Sequence, residues 1–357
     1  MDIGESARRG RGALRNPAGR FEPYQRERVD DGWDDEGEDT VLRTEVATER
    51  PRTILTRNTS PDVPFDRSIN PYRGCEHGCV YCFARPSHAF LDLSPGLDFE
   101  TRLTAKPDAP KLLARELSAP SYKPAPIAIG TNTDPYQPIE ARLRIMRGIL
   151  ETLQAAQHPV TIVTKGSLIE RDIDILSPMA QRGLAHAGIS VTTLDRRLSR
   201  KMEPRAPAPE RRLETIRRLT EAGIPVRVLV APVIPGLTDS ELDTILERAR
   251  EAGAATCGYI LLRLPGEVSD MFNDWLTTLN PARARKIMSQ IRQMHNGRDY
   301  NSSWGTRKRG QGQLAELLAR RFTLAARRLG YAPAPEPLRC DLFRPAQPEQ
   351  RQLDLFA

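Results

Sequence analysis

Three of the five cysteines in this 357-residue chain fall in one short stretch, Gly74-Cys75-Glu76-His77-Gly78-Cys79-Val80-Tyr81-Cys82-Phe83, with the spacing CxxxCxxC. Thiols crowded this closely are costly to leave unpaired, so they hold a metal or cluster, or form a disulfide with one sulfur left over. The disulfide is the weaker choice, since no secretory segment is visible ahead of the loop and a chain of this length can build a core without staples. A structural zinc site wants four ligands, usually in paired spacing. His77 and His88 could complete one only in a cramped geometry, and Cys257 and Cys340 stand alone far downstream. A cubane [4Fe–4S] cluster can be held by three thiolates, and its fourth iron is then open to a small molecule.

Composition bounds the rest. Hydrophobic residues at 39% suffice for a real core, and no apolar run is long enough to span a bilayer. The first residues lack an apolar h-region, and their arginines are mixed with Asp2 and Glu5, which argues against a transit peptide. The expected location is the cytoplasm, with no membrane partner. A formal charge of +7 permits nucleic-acid binding, and suits a solvated Arg-rich surface equally. Residues 1–50 combine scattered arginines with an acidic block from Asp30 to Asp39 and few aliphatics, so a disordered charged arm is expected there.

From Arg52 onward short apolar runs recur: a first strand around Ser68 to Asn70, then residues 126–130, 160–164, 188–192, 226–230 and 258–262. They are rich in β-branched residues and lack strict alternation, the pattern of parallel strands covered on both faces. Helical periodicity fills the intervals, with Leu143, Met146, Ile149, Leu150 and Leu153 on one stripe and Leu242, Ile245, Leu246 and Ala249 on another. Thr238 and Glu241 form the capping-box pattern ahead of the second. The predicted fold is α/β, an open partial (β/α)6 TIM-like barrel over residues 51–270. A helical region follows over 271–331, with helices about Phe272 to His295 and Gln313 to Leu329, and then a Pro-rich tail over 332–357.

The CxxxCxxC loop with an aromatic residue just before its third cysteine resembles the signature of the radical S-adenosylmethionine (radical SAM) superfamily, whose core has this barrel architecture. The resemblance implies Cys75, Cys79 and Cys82 as ligands of a [4Fe–4S] cluster, and S-adenosyl-L-methionine as second cofactor. It implies contact of Tyr81 with adenine, and of Thr131, Asn132 and Asp134, in the turn after the second strand, with the methionine amine. Lys165 is then placed for the methionine carboxylate, Ser190 and Thr192 for the ribose, and Ile234, in the turn Pro232-Val-Ile-Pro-Gly236, for adenine. The implied chemistry is reduction of the cluster by an electron donor such as flavodoxin or ferredoxin, cleavage of S-adenosylmethionine, and hydrogen abstraction by the 5′-deoxyadenosyl radical.

Asn70-Pro-Tyr-Arg-Gly-Cys75, Gly130-Thr-Asn-Thr-Asp134, Thr164-Lys165 and the 232–236 turn together look like the spore photoproduct lyase-like, DNA-repair-related branch. That branch's lyase uses a cysteine after the second strand and a tyrosine just after the third cluster cysteine. Here residues 130–134 contain no cysteine and Phe83 has no hydroxyl, so thymine-dimer reversal does not follow.

Two stretches point to nucleic acid as partner. Residues 297–310 combine Arg307, Lys308 and Arg309, suited to phosphate, with Tyr300 and Trp304, suited to stacking; sealing the barrel mouth is the other reading. Gln352, Leu353, Leu355 and Phe356 match the QLxLF peptide that docks on the DNA polymerase sliding clamp, in a segment whose prolines discourage helix and strand. The competing function is a non-catalytic nucleic-acid-binding protein with a structural metal or Fe–S loop. Cys257 is expected as a buried small hydrophobe and Cys340 as a free thiol.

Overall fold

The computed structural model describes residues 10–21 and 42–345. Six strands carry the fold: β1 (Arg67–Ile69), β2 (Ile127–Ile129), β3 (Val160–Thr164), β4 (Ala185–Ser190), β5 (Val226–Val233) and β6 (Thr256–Leu261). They lie side by side in chain order with every pairing parallel, and Thr56–Arg57 adds an antiparallel edge to β1. Among the described residues no pairing joins β6 back to that edge, so the sheet is an open partial barrel, as expected. Helices α1 (Ala109–Leu117), α2 (Ile145–Ala155), α3 (Ile173–Gln181), α4 (Arg196–Met202), α5 (Pro209–Glu221) and α6 (Leu242–Glu251) fall in the intervals between the strands. Met146, Ile149, Leu150 and Leu153 of α2 are fully buried and share one core with Val226, Val228 and Val230 of β5. Each such side chain contributes about 1.5–3 kcal/mol of burial free energy.

Several details depart from the sequence reading, each for a physical reason. Burial alternates along β3 and β5, because Val163, Leu229 and Ala231 face a cavity while their neighbours face the helices. Strand β4 starts at Ala185, three residues before the expected run, since pairing of Ala185 with Val160 outweighs the poor strand propensity of Ala-His-Ala. The single helix expected over 272–295 is two, α7 (Val268–Leu279) and α8 (Pro281–Met294), because Pro281 lacks an N–H and forces Asn280 out of helical geometry. Helix α9 (Gln313–Arg328) lies where it was expected. The capping box is not made: Thr238 Oγ1 accepts from the Ile234 amide, and the Glu241 carboxylate accepts from Thr193 Oγ1 and the Leu194 amide, each at 2.6 Å. No helix of the described residues is long and apolar enough to cross a membrane.

Parts of the two expected termini are packed elements. Residues 10–21 lie against the cysteine loop, with the Gly12 and Ala13 amides each donating to the Glu100 carboxylate at 2.8 Å. A Cβ on Gly12 would stand 1.9 Å from the Gly78 carbonyl oxygen, so only glycine fits this approach. Glu45–Thr48 pairs in parallel with Arg102–Ala105 in a small sheet that Tyr72–Arg73 completes. Composition hid these contacts, because hydrogen bonds rather than an apolar stripe make them. The acidic block at 30–39 and the peptide Gln352-Leu353-Asp354-Leu355-Phe356 lie outside the described residues.

The Pro-rich segment is a strap as far as Pro345. Ala332, Arg339 and Arg344 donate backbone hydrogen bonds to Ala255, Gly183 and Ala156, all just ahead of strands, so the strap crosses the N-terminal end of the barrel. Phe343 packs at 5.5 Å from the Tyr122 ring and 5.4 Å, edge-on, from the His158 ring. His158 is neutral there: Nδ1–H donates to Pro159 O at 3.0 Å and Nε2 accepts from Tyr122 Oη at 2.7 Å.

Burial pushes the His158 pKa down to about 4. As pH falls below the unfolded value of about 6.5, the unfolded chain binds a proton that the folded chain refuses, so stability is lost down to about pH 4. Urea unfolding should therefore show a loss of about 3 kcal/mol over that window that His158→Gln removes; parallel pH profiles for the two proteins would refute the assignment. At the other end of the barrel, Glu100→Ala should cost about 3–5 kcal/mol by stranding the buried Arg85, and Arg85→Met with Glu100→Leu should recover only part of it, because the Gly12 and Ala13 amides and the carbonyls that Arg85 gathers stay unpaired. A single-variant cost below about 1 kcal/mol in the same assay would mean the pair is dispensable.

Candidate active site

The cysteine loop runs from Tyr72–Arg73 into a 3-10 helix at Arg85–Leu91 and has little regular structure of its own, so other elements pin it. The Cys75 amide donates to Phe99 O at 2.9 Å, the Val80 amide to Met202 O at 3.0 Å, and the Glu76 amide to Gln137 Oε1 at 2.8 Å. Arg85, fully buried, donates to the carbonyls of Cys79, Pro95 and Gly96 and meets Glu100 at 2.5 Å. Gly74 and Gly78 adopt φ of +76° and +67°, which lets the chain double back around the first two cysteines.

The three thiols are free and line one cavity of about 200 Å³ at the C-terminal ends of the strands. Tyr81, Thr131, Asn132, Asp134, Lys165 and Ser190 share its wall, with Phe83, Pro232 and Arg263. Thr192 and Ile234 do not reach it. Thr192 Oγ1 instead donates to Glu203 at 2.8 Å and approaches Tyr81 Oη at 3.3 Å, behind the wall. Ile234 turns into the apolar cluster that joins Tyr81 and Met202 to α7 and α8. Gly130 holds φ +92° where a Cβ would strike Val163 O at 2.0 Å, which sets the turn that carries Thr131 to Asp134.

Asp134 is the junction of three segments. Its carboxylate accepts from the Tyr136 amide, Thr164 Oγ1 and the Lys165 amide at 2.9, 2.5 and 2.8 Å, and lies 3.3 Å from His77 Nδ1. Burial opposes its charge, but His77 and these donors hold the pKa down at about 2. The carboxylate is thus saturated by protein groups, whereas the sequence reading had it receive an amine directly.

Glu203, which sequence reasoning missed, organises the opposite side. It is fully buried, bonds the Tyr81 hydroxyl and Arg212, and lies 3.9 Å from Lys165 Nζ. Burial opposes its charge too, but Arg212 and Lys165 bring its pKa to about 2. A Glu that follows the basic run Arg196-Arg-Leu-Ser-Arg-Lys201 looks like a solvated surface residue, and no spacing marks it otherwise. Lys165 also stands 5.8 Å over the Tyr81 ring, so the ring and the ammonium are positioned as one unit.

The donor set fits a [4Fe–4S] cluster. Burial raises the pKa of Cys75, Cys79 and Cys82, that of Cys79 to about 12, a cost that binding iron removes. Lys165 and Arg212 beside Cys79, and Arg85 and Lys165 beside Cys82, pull the other way and favour thiolate. No group of three His, Cys, Asp or Glu side chains among the described residues is arranged for a single metal ion. Thiolates on a cubane each take a different iron and need not converge on a point. Cys257, on β6 against the core, and Cys340, in the strap, lie away from the cavity.

A spore photoproduct lyase complexed with dinucleoside spore photoproduct superposes with a TM-score of 0.57 at 14% identity, covering 80% of each chain. A variant of the lyase with bound AdoMet and dinucleoside spore photoproduct gives 0.58 at the same identity and coverage. Among curated sequences, the uncharacterized protein Rv2578c of Mycobacterium tuberculosis is 39% identical over 235 residues, 65% of this chain and 68% of its own length. The uncharacterized protein MJ0683 of Methanocaldococcus jannaschii is 27% identical over 173 residues, 48% of this chain and 62% of its own. The family model of the Radical SAM superfamily matches residues 69–276, which takes in the cysteine loop and all of the barrel beyond β1. That match spans more than half of the chain, which therefore belongs to the radical SAM superfamily, enzymes that use a [4Fe–4S] cluster and S-adenosylmethionine.

Proposed function

We propose that Cys75, Cys79 and Cys82 hold the [4Fe–4S] cluster of this enzyme and that its substrate is nucleic acid. The observation that carries the first part is the shared wall: three free thiols, Tyr81, Lys165 and Ser190 line a single cavity. Cluster and S-adenosylmethionine together supply a 5′-deoxyadenosyl radical that takes a hydrogen atom from substrate. The chain's own residues bind and orient. Tyr81 offers a ring to adenine, Thr131 and Asn132 offer polar groups to the methionine amine, Lys165 faces its carboxylate, and Ser190 faces the ribose. Asp134 fixes the turn and the Lys165 backbone instead of binding directly, Thr192 steadies Tyr81 through Glu203, and Ile234 backs the ring from the core.

Support for nucleic acid comes from a basic groove of about 580 Å³ lined by Arg196, Arg197, Arg200 and Lys201. These lie on α4, whose end bonds the cysteine loop through Met202 and Glu203, so a strand held there would be tied to the element that supports the loop. The lyase structures similar in fold carry a dinucleoside photoproduct, which agrees with such a substrate. With Phe83 and no cysteine at 130–134, reversal of that photoproduct does not follow from the resemblance. A flavodoxin or ferredoxin as electron donor and a cytoplasmic location complete the proposal. Docking of the QLDLF peptide on the sliding clamp would bring the enzyme to replicating or repaired DNA.

Anaerobic reconstitution should give about four iron and four sulfide per chain, and 5′-deoxyadenosine on addition of S-adenosylmethionine and dithionite. Cys75→Ala, Cys79→Ala and Cys82→Ala should each abolish the nucleoside. Stoichiometric zinc without any cleavage product would overturn the cluster assignment. In a clamp titration, a form ending at Gln350 should lose binding that the full chain shows; equal or absent binding by both rules the docking out.

A further inference from the structure

Arg263 stands just past the end of β6 on the cavity wall. Its guanidinium carbon lies 4.5 Å from the centre of the Phe83 ring and 5.8 Å from that of Tyr300, whose hydroxyl accepts from Nη2 at 3.3 Å. Its Nε is buried without a hydrogen-bond partner. Among the described residues no carboxylate lies within ion-pair distance of it.

The neighbouring loop adds charge without supplying a counter-ion. Residues 297–310 pack beside Arg263, with the Leu261 amide donating to Lys308 O at 2.8 Å. Arg307, expected from the sequence to meet phosphate, is instead taken up by Asp62 and Ser60. Asp62 also accepts from the Gly305 amide at 2.6 Å, and Asp299 of the loop accepts from Arg292 at 2.6 Å and Ser269 at 2.8 Å, so both nearby carboxylates are taken by other groups. The Lys308 ammonium, half-buried, donates only to the Asp62 carbonyl at 2.8 Å. Burial first, then Arg263 and Arg307, push its pKa down to about 8. Two cations withdrawn from water without a carboxylate of their own are costly, and aromatic faces offset only part of that cost. An anion arriving from outside removes it.

We infer that Arg263, with Lys308 beside it, seats a phosphate of the substrate at the cavity mouth. Phe83 and Tyr300 hold the guanidinium plane in place, so that its fork of donors is fixed before the phosphate arrives. Phe83 is 43% exposed despite its position next to Cys82, which leaves ring surface for the base attached to that phosphate. This subsite rests on the nucleic-acid reading above and narrows it: the group recognised is the charged linkage.

The test uses the reconstituted full-length enzyme with S-adenosylmethionine present. Two probes are titrated, thymidylyl-thymidine with its natural phosphodiester and the same dinucleoside with an uncharged methylphosphonate. A dinucleoside is short enough to report on the mouth alone, apart from the α4 groove. The wild-type enzyme should prefer the phosphodiester about tenfold, a difference of about 1.4 kcal/mol. Arg263→Gln should erase that preference, Arg263→Lys should keep part of it, and Lys308→Gln should reduce it. The loss of dinucleoside affinity in Arg263→Gln should exceed any loss of S-adenosylmethionine affinity at least tenfold; the reverse would assign Arg263 to the cofactor carboxylate and overturn the proposal. If the wild-type enzyme binds both probes equally, or Arg263→Gln retains the preference, the phosphate subsite fails while the nucleic-acid reading stands. If the wild type binds neither probe nor longer single strands, both fall. Should Arg263→Gln lose its iron, Lys308→Gln decides by the same comparison.

Discussion

Two buried carboxylates, Glu100 and Glu203, hold a loop that cannot hold itself. The cysteine loop lacks a hydrogen-bond ladder, and although Val80 and Tyr81 bury apolar surface against α7 and α8, its thiols must face a cavity. Charge sets the direction of the backbone around them. Arg85 gathers the carbonyls of Cys79, Pro95 and Gly96 and is neutralised by Glu100, which also gathers the amides of residues 12 and 13. Glu203 ties Tyr81 to Arg212 and so to α5. Such pairs add little net stability over an apolar replacement, yet each fixes direction in a way that packed aliphatics do not. Direction is what a site with three separated sulfurs requires.

Much of this was legible before any coordinates. Ligand spacing is a local property, so Cys75, Cys79 and Cys82 stood out from the sequence, and the strands of a parallel sheet read as apolar runs that β2, β3, β5 and β6 bear out. What escaped notice shares one cause. Glu203 reaches Tyr81 and Glu100 reaches the Gly12-Ala13 segment across more than eighty residues of chain, and neither periodicity nor propensity registers such contacts. Thr192 and Ile234 stand behind the cavity wall for a related reason: the position of a residue after a strand says that it is near the mouth, while the side it faces depends on what packs behind it. Asp134 shows why: acceptors and ligands are the same residue types, and only the structure reveals the donors from three segments that meet at its carboxylate.

The replacement of a hydroxylated ring by Phe83 gains a structural explanation from Arg263. A tyrosine after the third cysteine, as in the resembling lyase, would carry a polar atom into the site; a phenylalanine here offers its face to a guanidinium. The position thus trades a hydrogen donor for a support. Arg263 and Phe83 are far apart in the chain and meet only because β6 ends beside the cysteine loop, so the change at residue 83 makes sense only together with the residue at 263.

The strap at the opposite end of the barrel bears on how the protein is made. Each strand pairs with its neighbour in the chain, so the sheet can grow as the polypeptide emerges from the ribosome. The hydrogen bonds that tie the beginnings of β3, β4 and β6 together come from Ala332, Arg339 and Arg344, which are synthesised after every strand. The nascent barrel therefore lacks this latch until after its last strand has been made, so its lower rim is tied by residues that arrive only when the sheet is already complete in sequence.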